Sequence, residues 1–196
     1  MLMSTVEKFI DWLYTNKCPE TPDDWVTGLY QGSFQRGVQL AILRACAFGN
    51  RVMARVFQTS AQAALIRSIA NGRRLPFFES IIFAFANLPS NNIILTLLVD
   101  AHCQDYKAEF DDIWDGELEL RSQLPKEFLL RAMLRYSAMR EAPVTNSLDP
   151  CDYHEHESEK EKEACQKKSI IKDTDQASEA DDEENENGEV GAGTFV

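Results

Sequence analysis

Three side chains near residue 150 have the chemistry of zinc ligands. Cys151, His154 and His156 form a C-x2-H-x-H pattern, and Cys165 follows nearby. Zn²⁺ binds thiolate and imidazole donors in a tetrahedral arrangement, so these residue types could supply a site. The spacing matches no established zinc motif, and a His-x-His pair in a polar segment is more often a surface turn. We therefore expect no metal and no cofactor, and keep a metal-linked regulatory protein as an alternative hypothesis.

A histidine and a cysteine in an apolar segment are the second candidate for chemistry. His102 and Cys103 have the residue types of a thiolate–imidazole nucleophile. Adjacent residues of a helix point about 100° apart, however, and do not face each other. The sequence also contains no nucleophile elbow, glycine-rich phosphate loop, HExxH motif or paired-carboxylate signature. We predict a protein that is not an enzyme, with a core histidine at position 102.

The elements that position these residues are predicted to be helices throughout. No stretch of four or more residues alternates apolar and polar side chains with β-branched enrichment, as a strand would. Proline and glycine divide residues 1–142 into an irregular bundle of about six to eight helices, the last of them opened by Pro125. The fold class is therefore all-α. The predicted buried face of the last helix consists of Phe128, Leu129, Ala132, Met133 and Tyr136.

The charge of the chain is concentrated near its C-terminal end. The net charge is −12, and residues 149–189 hold 16 acids and five lysines, a net −11 that leaves −1 for the rest. From about Ser158 the composition is too polar to bury a core. We predict a helical domain over residues 1–142 and a polar, acidic, mostly disordered tail over residues 143–196. A nearly neutral body with an acidic tail argues against nucleic acid as a partner.

Two further features of the sequence indicate the compartment. No apolar run approaches the roughly 20 residues of a membrane span, and no N-terminal segment has the zones of a signal peptide. The five cysteines are odd in number, widely spaced and without a CxxC pair, which suits reduced thiols. We expect an intracellular protein of the cytoplasm or nucleus, with no membrane partner.

The first predicted helix, residues 4–17, carries the candidate binding site. A capping-box pattern of Ser4 with Glu7 predicts its start. Its apolar stripe recurs at helical spacing and consists of Val6, Phe9, Ile10, Leu13 and Tyr14. Aromatic side chains left exposed there would favour docking of a partner. The alternative is that the helix folds back onto Phe57 and Phe85. The predicted partner-binding residues are Phe9, Trp12, Leu13 and Tyr14.

Several segments resemble, in order, the second half of the BTB/POZ domain proteins that filamentous fungi encode in large numbers. Residues 9–15 (FIDWLYT) are similar to the helix that follows the BTB sheet region, and residues 43–51 (LRACAFGNR) to the family's helix-and-turn. The resemblance covers roughly residues 5–157. Its further segments are 75–76 after paired arginines, 88–92 (LPSNN), 97–101 (LLVDA), 124–129 (LPKEFL) and 151–156 (CDYHEH).

The resemblance implies a non-enzymatic protein–protein interaction module and, more narrowly, a truncated ubiquitin-ligase adaptor. The partner would then be a protein, such as a cullin scaffold or another BTB protein. A full domain of this family begins with about 60 residues that carry strands and a helical hairpin, and no such segment is present in this chain. The alternative expectation is therefore a truncated or degenerate BTB fragment without autonomous function.

Overall fold

The computed structural model describes residues 2–26, 33–71, 75–107, 117–141 and 148–154, together with Glu163. All regular elements in these ranges are helical and none is a strand, which confirms the predicted all-α class. The contacts divide the chain into two units, Met1–His154 and Glu155–Val196. Of the second unit only Glu163, which is exposed, belongs to the described residues, so the predicted disorder of the tail lies outside them.

Eight α-helices lie within the described ranges, in agreement with the predicted number. In chain order they are α1 (Leu2–Thr15), α2 (Pro22–Trp25), α3 (Phe34–Arg51), α4 (Arg55–Ile66), α5 (Phe78–Asn87), α6 (Ile93–Asp105), α7 (Glu117–Leu120) and α8 (Lys126–Glu141). A π-helical turn, Arg67–Asn71, continues α4, and two 3₁₀ turns are Arg121–Gln123 and Pro150–Tyr153.

The N-terminal residues of the first two helices can be compared with the capping residues that the sequence predicted. α1 begins at Leu2, so Ser4 lies inside the helix and the predicted capping box at its start is wrong. α2 begins at Pro22 with Thr21 as its N-cap. There the Thr21 hydroxyl donates to Asp24 Oδ2 at 2.7 Å, and this hydrogen bond lowers the pKa of the Asp24 carboxyl. A capping box therefore forms at α2.

α3 and α4 form an antiparallel hairpin whose close approach depends on Gly49. A Cβ atom at Gly49 would lie 3.0 Å from the Gln58 Cβ and 3.1 Å from the Gln58 backbone nitrogen. No real side chain fits in that space without a shift of α4. The chain then reverses at Met53, which adopts a left-handed conformation with φ of 56°. The hairpin thus places a glycine where the two helices touch.

The core consists of two apolar clusters. The larger joins α3, α4 and α6 and continues to Tyr153, near the end of the first unit. The smaller joins α5, α6 and α8. Its buried members are Phe78, Ile81, Val99, Cys103, Phe128 and Ala132.

A buried carboxylate fixes the start of α5. Glu117 is only 2% exposed, and Arg36 Nη2 donates to its Oε1 at 2.6 Å. The backbone nitrogen of Phe78 donates to Glu117 Oε2 at 2.7 Å, which places negative charge at the N-terminus of α5, where the helix dipole favours it. Gln39 supports the preceding residues, since its Oε1 accepts from the Phe77 backbone nitrogen at 3.2 Å. The entry into α5 is thus held by α3 and α7 together.

The last helix buries a narrower face than predicted. Phe128 and Ala132 are buried, as expected, but Leu129, Met133 and Tyr136 are exposed, so that part of the prediction is wrong. The Phe128 ring sets the orientation of α8, because it packs edge-on against Phe85 at a centroid distance of 5.7 Å. With Phe128 directed inward, the neighbouring leucine and methionine positions turn toward solvent.

Candidate functional site

The four predicted partner-binding residues divide into two pairs. Phe9 and Trp12 are half-buried against the core. The Phe9 ring meets Phe57 edge-on at a centroid distance of 5.2 Å, and Trp12 lies 5.5 Å from the same ring. Leu13 and Tyr14, in contrast, are 59% and 88% exposed. The first pair attaches the helix, and the second pair is available to a partner.

These contacts settle the predicted alternatives about Phe57 and Phe85. α1 does fold back onto Phe57. Phe85 packs against Phe128 of α8. The outcome is a helix that is attached by one side and still exposes an apolar side.

The side of α1 that is buried differs from the side that the sequence pattern predicted, by a rotation that corresponds to about one residue. The buried side contains Thr5, Phe9 and Trp12. At 100° per residue, the centre of this side lies roughly 100° around the helix from the centre of the predicted apolar stripe. Rotation by that amount directs three apolar side chains outward. We name them the helix-1 face: Ile10, Leu13 and Tyr14.

A shallow depression of about 510 Å³ lies between the side of α1 that carries Lys8 and Asp11 and the segment that leads into α2. Its lining includes four carboxylates and the two ammonium groups of Lys8 and Lys17, so the depression is net negative, and Ile10, Leu13 and Tyr14 do not line it. The carboxylates are those of Asp11, Glu20, Asp23 and Asp24.

A second cleft, of about 280 Å³, is lined by residues of α1, α3 and α5. Two of these are arginines, but both are engaged with the protein. Arg51 Nη2 donates to Asn87 Oδ1 at 2.7 Å, and the Arg44 guanidinium lies 5.9 Å from the centroid of the Phe83 ring. The arrangement braces α3 against α5.

The candidate zinc ligands are placed as follows. Cys151 is buried, and its backbone nitrogen donates to Asp149 Oδ1 at 2.9 Å. His154 Nδ1 lies 2.7 Å from the carbonyl oxygen of Pro150. His156 and Cys165 lie outside the described residues. Among the residues that are described, no group of three or more His, Cys, Asp or Glu side chains is arranged to hold a metal ion.

His102 and Cys103 lie in the core of the smaller cluster. His102 is buried, as predicted, and its ring stacks on Tyr106 at a centroid distance of 4.3 Å. The Cys103 thiol donates to the carbonyl oxygen of Ala132 at 3.7 Å. Burial raises the pKa of this thiol to about 11. The thiolate, which is the reactive form, is therefore disfavoured at neutral pH.

A second exposed apolar surface was missed by sequence reasoning. We name it the last-helix face: Leu130, Met133 and Leu134 of α8, with Leu129 at its edge. All four side chains are exposed, and Met133 is 70% exposed. The width of the apolar pattern could have predicted this surface, because α8 has more apolar positions than a single buried stripe contains.

Comparison of the chain with protein-family models, with curated proteins and with solved structures finds no match in any of the three. The resemblance to BTB/POZ proteins stays a prediction. No helix in the described part of the chain is long and apolar enough to cross a membrane.

Proposed function

We propose that the protein is a non-enzymatic protein–protein interaction module whose partner docks on the helix-1 face. The observation that carries this proposal is the exposure of Leu13 and Tyr14 on a helix that is already attached to the core through Phe9 and Trp12. A tyrosine combines a large apolar ring with a polar hydroxyl, and residues of this kind contribute a large share of binding energy at interfaces.

The surroundings of the helix-1 face favour a partner of particular chemistry. Asp11 lies at the edge of this face, three positions before Tyr14, and it lines a net-negative depression with Glu20, Asp23 and Asp24. Complementary charge steers association and suppresses wrong partners. The partner surface should therefore be apolar at its centre and carry lysine or arginine at the edge that meets Asp11. A cullin scaffold or another BTB protein is the narrower proposal, and it rests on the sequence resemblance alone.

Affinity capture with a matched pair of variants tests the proposal. The tagged full chain is compared with Leu13→Asp/Tyr14→Asp and with the control Leu130→Asp/Leu134→Asp, which changes a similar apolar area on α8. We expect a defined partner to be recovered with the wild type and the control and lost with the helix-1 variant. Recovery of that partner with all three proteins would contradict docking on the helix-1 face.

The alternative of a fragment without autonomous function has a separate test. A chain with an incomplete core would unfold without a cooperative transition. We expect a single sigmoidal thermal transition by circular dichroism, since two clusters of side chains are buried in the first unit. A gradual, non-cooperative loss of helicity would favour the fragment.

A further inference from the structure

The outward side of α8 carries a stripe that runs the length of the helix. Its positions are separated by four, three, one, three and four residues, so that they share one side of an α-helix. All of them are exposed. The stripe begins with a cation, is apolar in its middle and ends with an anion. Its members are Lys126, Leu130, Met133, Leu134, Ser137 and Glu141.

Each of the two end charges has the same sign as the helix dipole at its own end of α8, so the dipole destabilises both. Lys126 lies at the N-terminus of α8, where the dipole is positive, and Glu141 lies at the C-terminus, where it is negative. Neither side chain makes a hydrogen bond or an ion pair with any other described residue. Glu127 is different, because it suits the N-terminus and pairs with Arg131. The stripe therefore ends in two charges that α8 itself does not stabilise.

A second copy of α8 in antiparallel orientation would give Lys126 and Glu141 favourable electrostatic partners. Lys126 of each copy would lie opposite Glu141 of the other, and each charge would lie near the helix end of opposite sign. The twofold axis would pass between Met133 and Leu134, so that the apolar middle of one stripe covers that of the other. A parallel pair would instead bring like charges together at both ends.

We propose that α8 pairs with α8 of a second copy in antiparallel orientation, so that the chain forms a weak homodimer. One helix face is smaller than the ~1,200–2,000 Å² of a standard stable interface, and a dissociation constant on the order of 10⁻⁴ M is expected. This surface is separate from the helix-1 face, so the dimer does not depend on the proposed function.

Sedimentation equilibrium of the full chain, over roughly 5–500 μM, measures this association. We expect the average mass to rise with concentration for the wild type. Leu130→Asp/Leu134→Asp should remain monomeric, whereas the control Leu13→Asp/Tyr14→Asp, which adds the same two negative charges on α1, should dimerise like the wild type. Circular dichroism spectra check that each variant keeps its helices. A wild type that is monomeric at every concentration would overturn the proposal, as would a dimer that Leu130→Asp/Leu134→Asp leaves intact.

Charge exchange tests the orientation. Lys126→Glu alone and Glu141→Lys alone should each weaken the dimer about tenfold, because two exposed contacts turn from attraction to repulsion. The combined variant Lys126→Glu/Glu141→Lys should restore the affinity of the wild type, since the opposite pairs re-form. Single variants that bind as tightly as the wild type would rule out the antiparallel arrangement.

Discussion

The first and the last long helix, α1 and α8, both direct apolar side chains toward solvent, but they are attached in different ways. α1 rests on the core through two half-buried rings, Phe9 and Trp12, which contact Phe57. α8 inserts a fully buried ring, Phe128, which is 1% exposed. It is also held by a polar contact, since Arg135 Nε lies 2.8 Å from Asp100 Oδ1 on α6.

The difference teaches that an apolar pattern predicts a helix better than it predicts which side of the helix is buried. Both patterns were wider than the surface that the core can cover. In each helix phenylalanine or tryptophan took the inward positions, and the tyrosine and aliphatic neighbours were left outside. The phenylalanine and tryptophan positions thus decide the rotation of the helix, and the remaining apolar positions become candidate interfaces.

The largest expected effect comes from the buried ring of α8. Phe128→Ala should lower the free energy of unfolding by about 3–5 kcal/mol, because it removes a buried ring and leaves a cavity. Phe9→Ala should cost about half as much, since that ring is only half-buried. Urea unfolding followed by circular dichroism measures both. Equal losses for the two variants would contradict the difference in attachment.

The polar attachment of α8 should have the next largest effect. Asp100 pairs with Arg135 and accepts a hydrogen bond of 2.8 Å from the Tyr153 hydroxyl. Asp100→Asn should therefore cost about 1–3 kcal/mol in urea unfolding, because it weakens two interactions of a largely buried carboxylate. Asp11→Asn on the exposed side of α1 is the matched control and should change stability by less than about 0.5 kcal/mol.

Alkaline pH should weaken the α8 side of the molecule. Burial raises the pKa of the Cys103 thiol from 9.0 to about 11. Because the folded value lies above the unfolded value, the native state keeps its proton longer. The stabilisation is complete below pH 9 and is lost as the pH rises toward 11, with a slope of about 1.4 kcal/mol per pH unit for this group.

Unfolding midpoints measured between pH 7 and 10.5 test this slope. The pKa of Tyr153 is also raised, by burial and by the neighbouring Asp100 carboxylate, so it contributes in the same direction. Cys103→Ala should make the decline shallower than in the wild type. An identical decline in Cys103→Ala would show that the thiol does not contribute.

The smallest effects are expected on the two exposed faces. Tyr14→Ser on the helix-1 face and Leu134→Ser on the last-helix face should each change the free energy of unfolding by less than about 0.5 kcal/mol, because both side chains are already in water. Thermal unfolding of dilute protein measures both. A loss above 1 kcal/mol for either variant would show that its side chain packs within the monomer.

Local signals predicted the helices of the fold well. Pro125 predicted the start of α8, which begins at Lys126. Thr21 predicted the start of α2, which begins at Pro22 with Thr21 as its N-cap. These signals act within a few residues of the chain, so they can be read directly from it. The prediction that α1 starts at Ser4 was wrong, because the helix extends two residues further toward the N-terminus than the pattern indicated.

The candidate site could be predicted only in part, because its geometry depends on distant residues. The sequence identified α1 and its aromatic side chains, but the inward direction of Phe9 and Trp12 depends on Phe57, which lies more than 40 positions later in the chain. The last-helix face was missed for the same reason, since the contact of Phe128 with Phe85 sets the rotation of α8.

The buried carboxylate of Glu117 also has a consequence for synthesis on the ribosome. Its partner Arg36 precedes it by 81 positions, and its hydrogen-bond donor Phe78 precedes it by 39. At translation rates of about 5–20 residues per second, Phe78 emerges roughly 2–8 seconds before Glu117 does. During that interval the start of α5 lacks its carboxylate cap. The nascent chain therefore completes this junction only after α7 has emerged, so the start of α5 reaches its final structure later than its position in the chain would indicate.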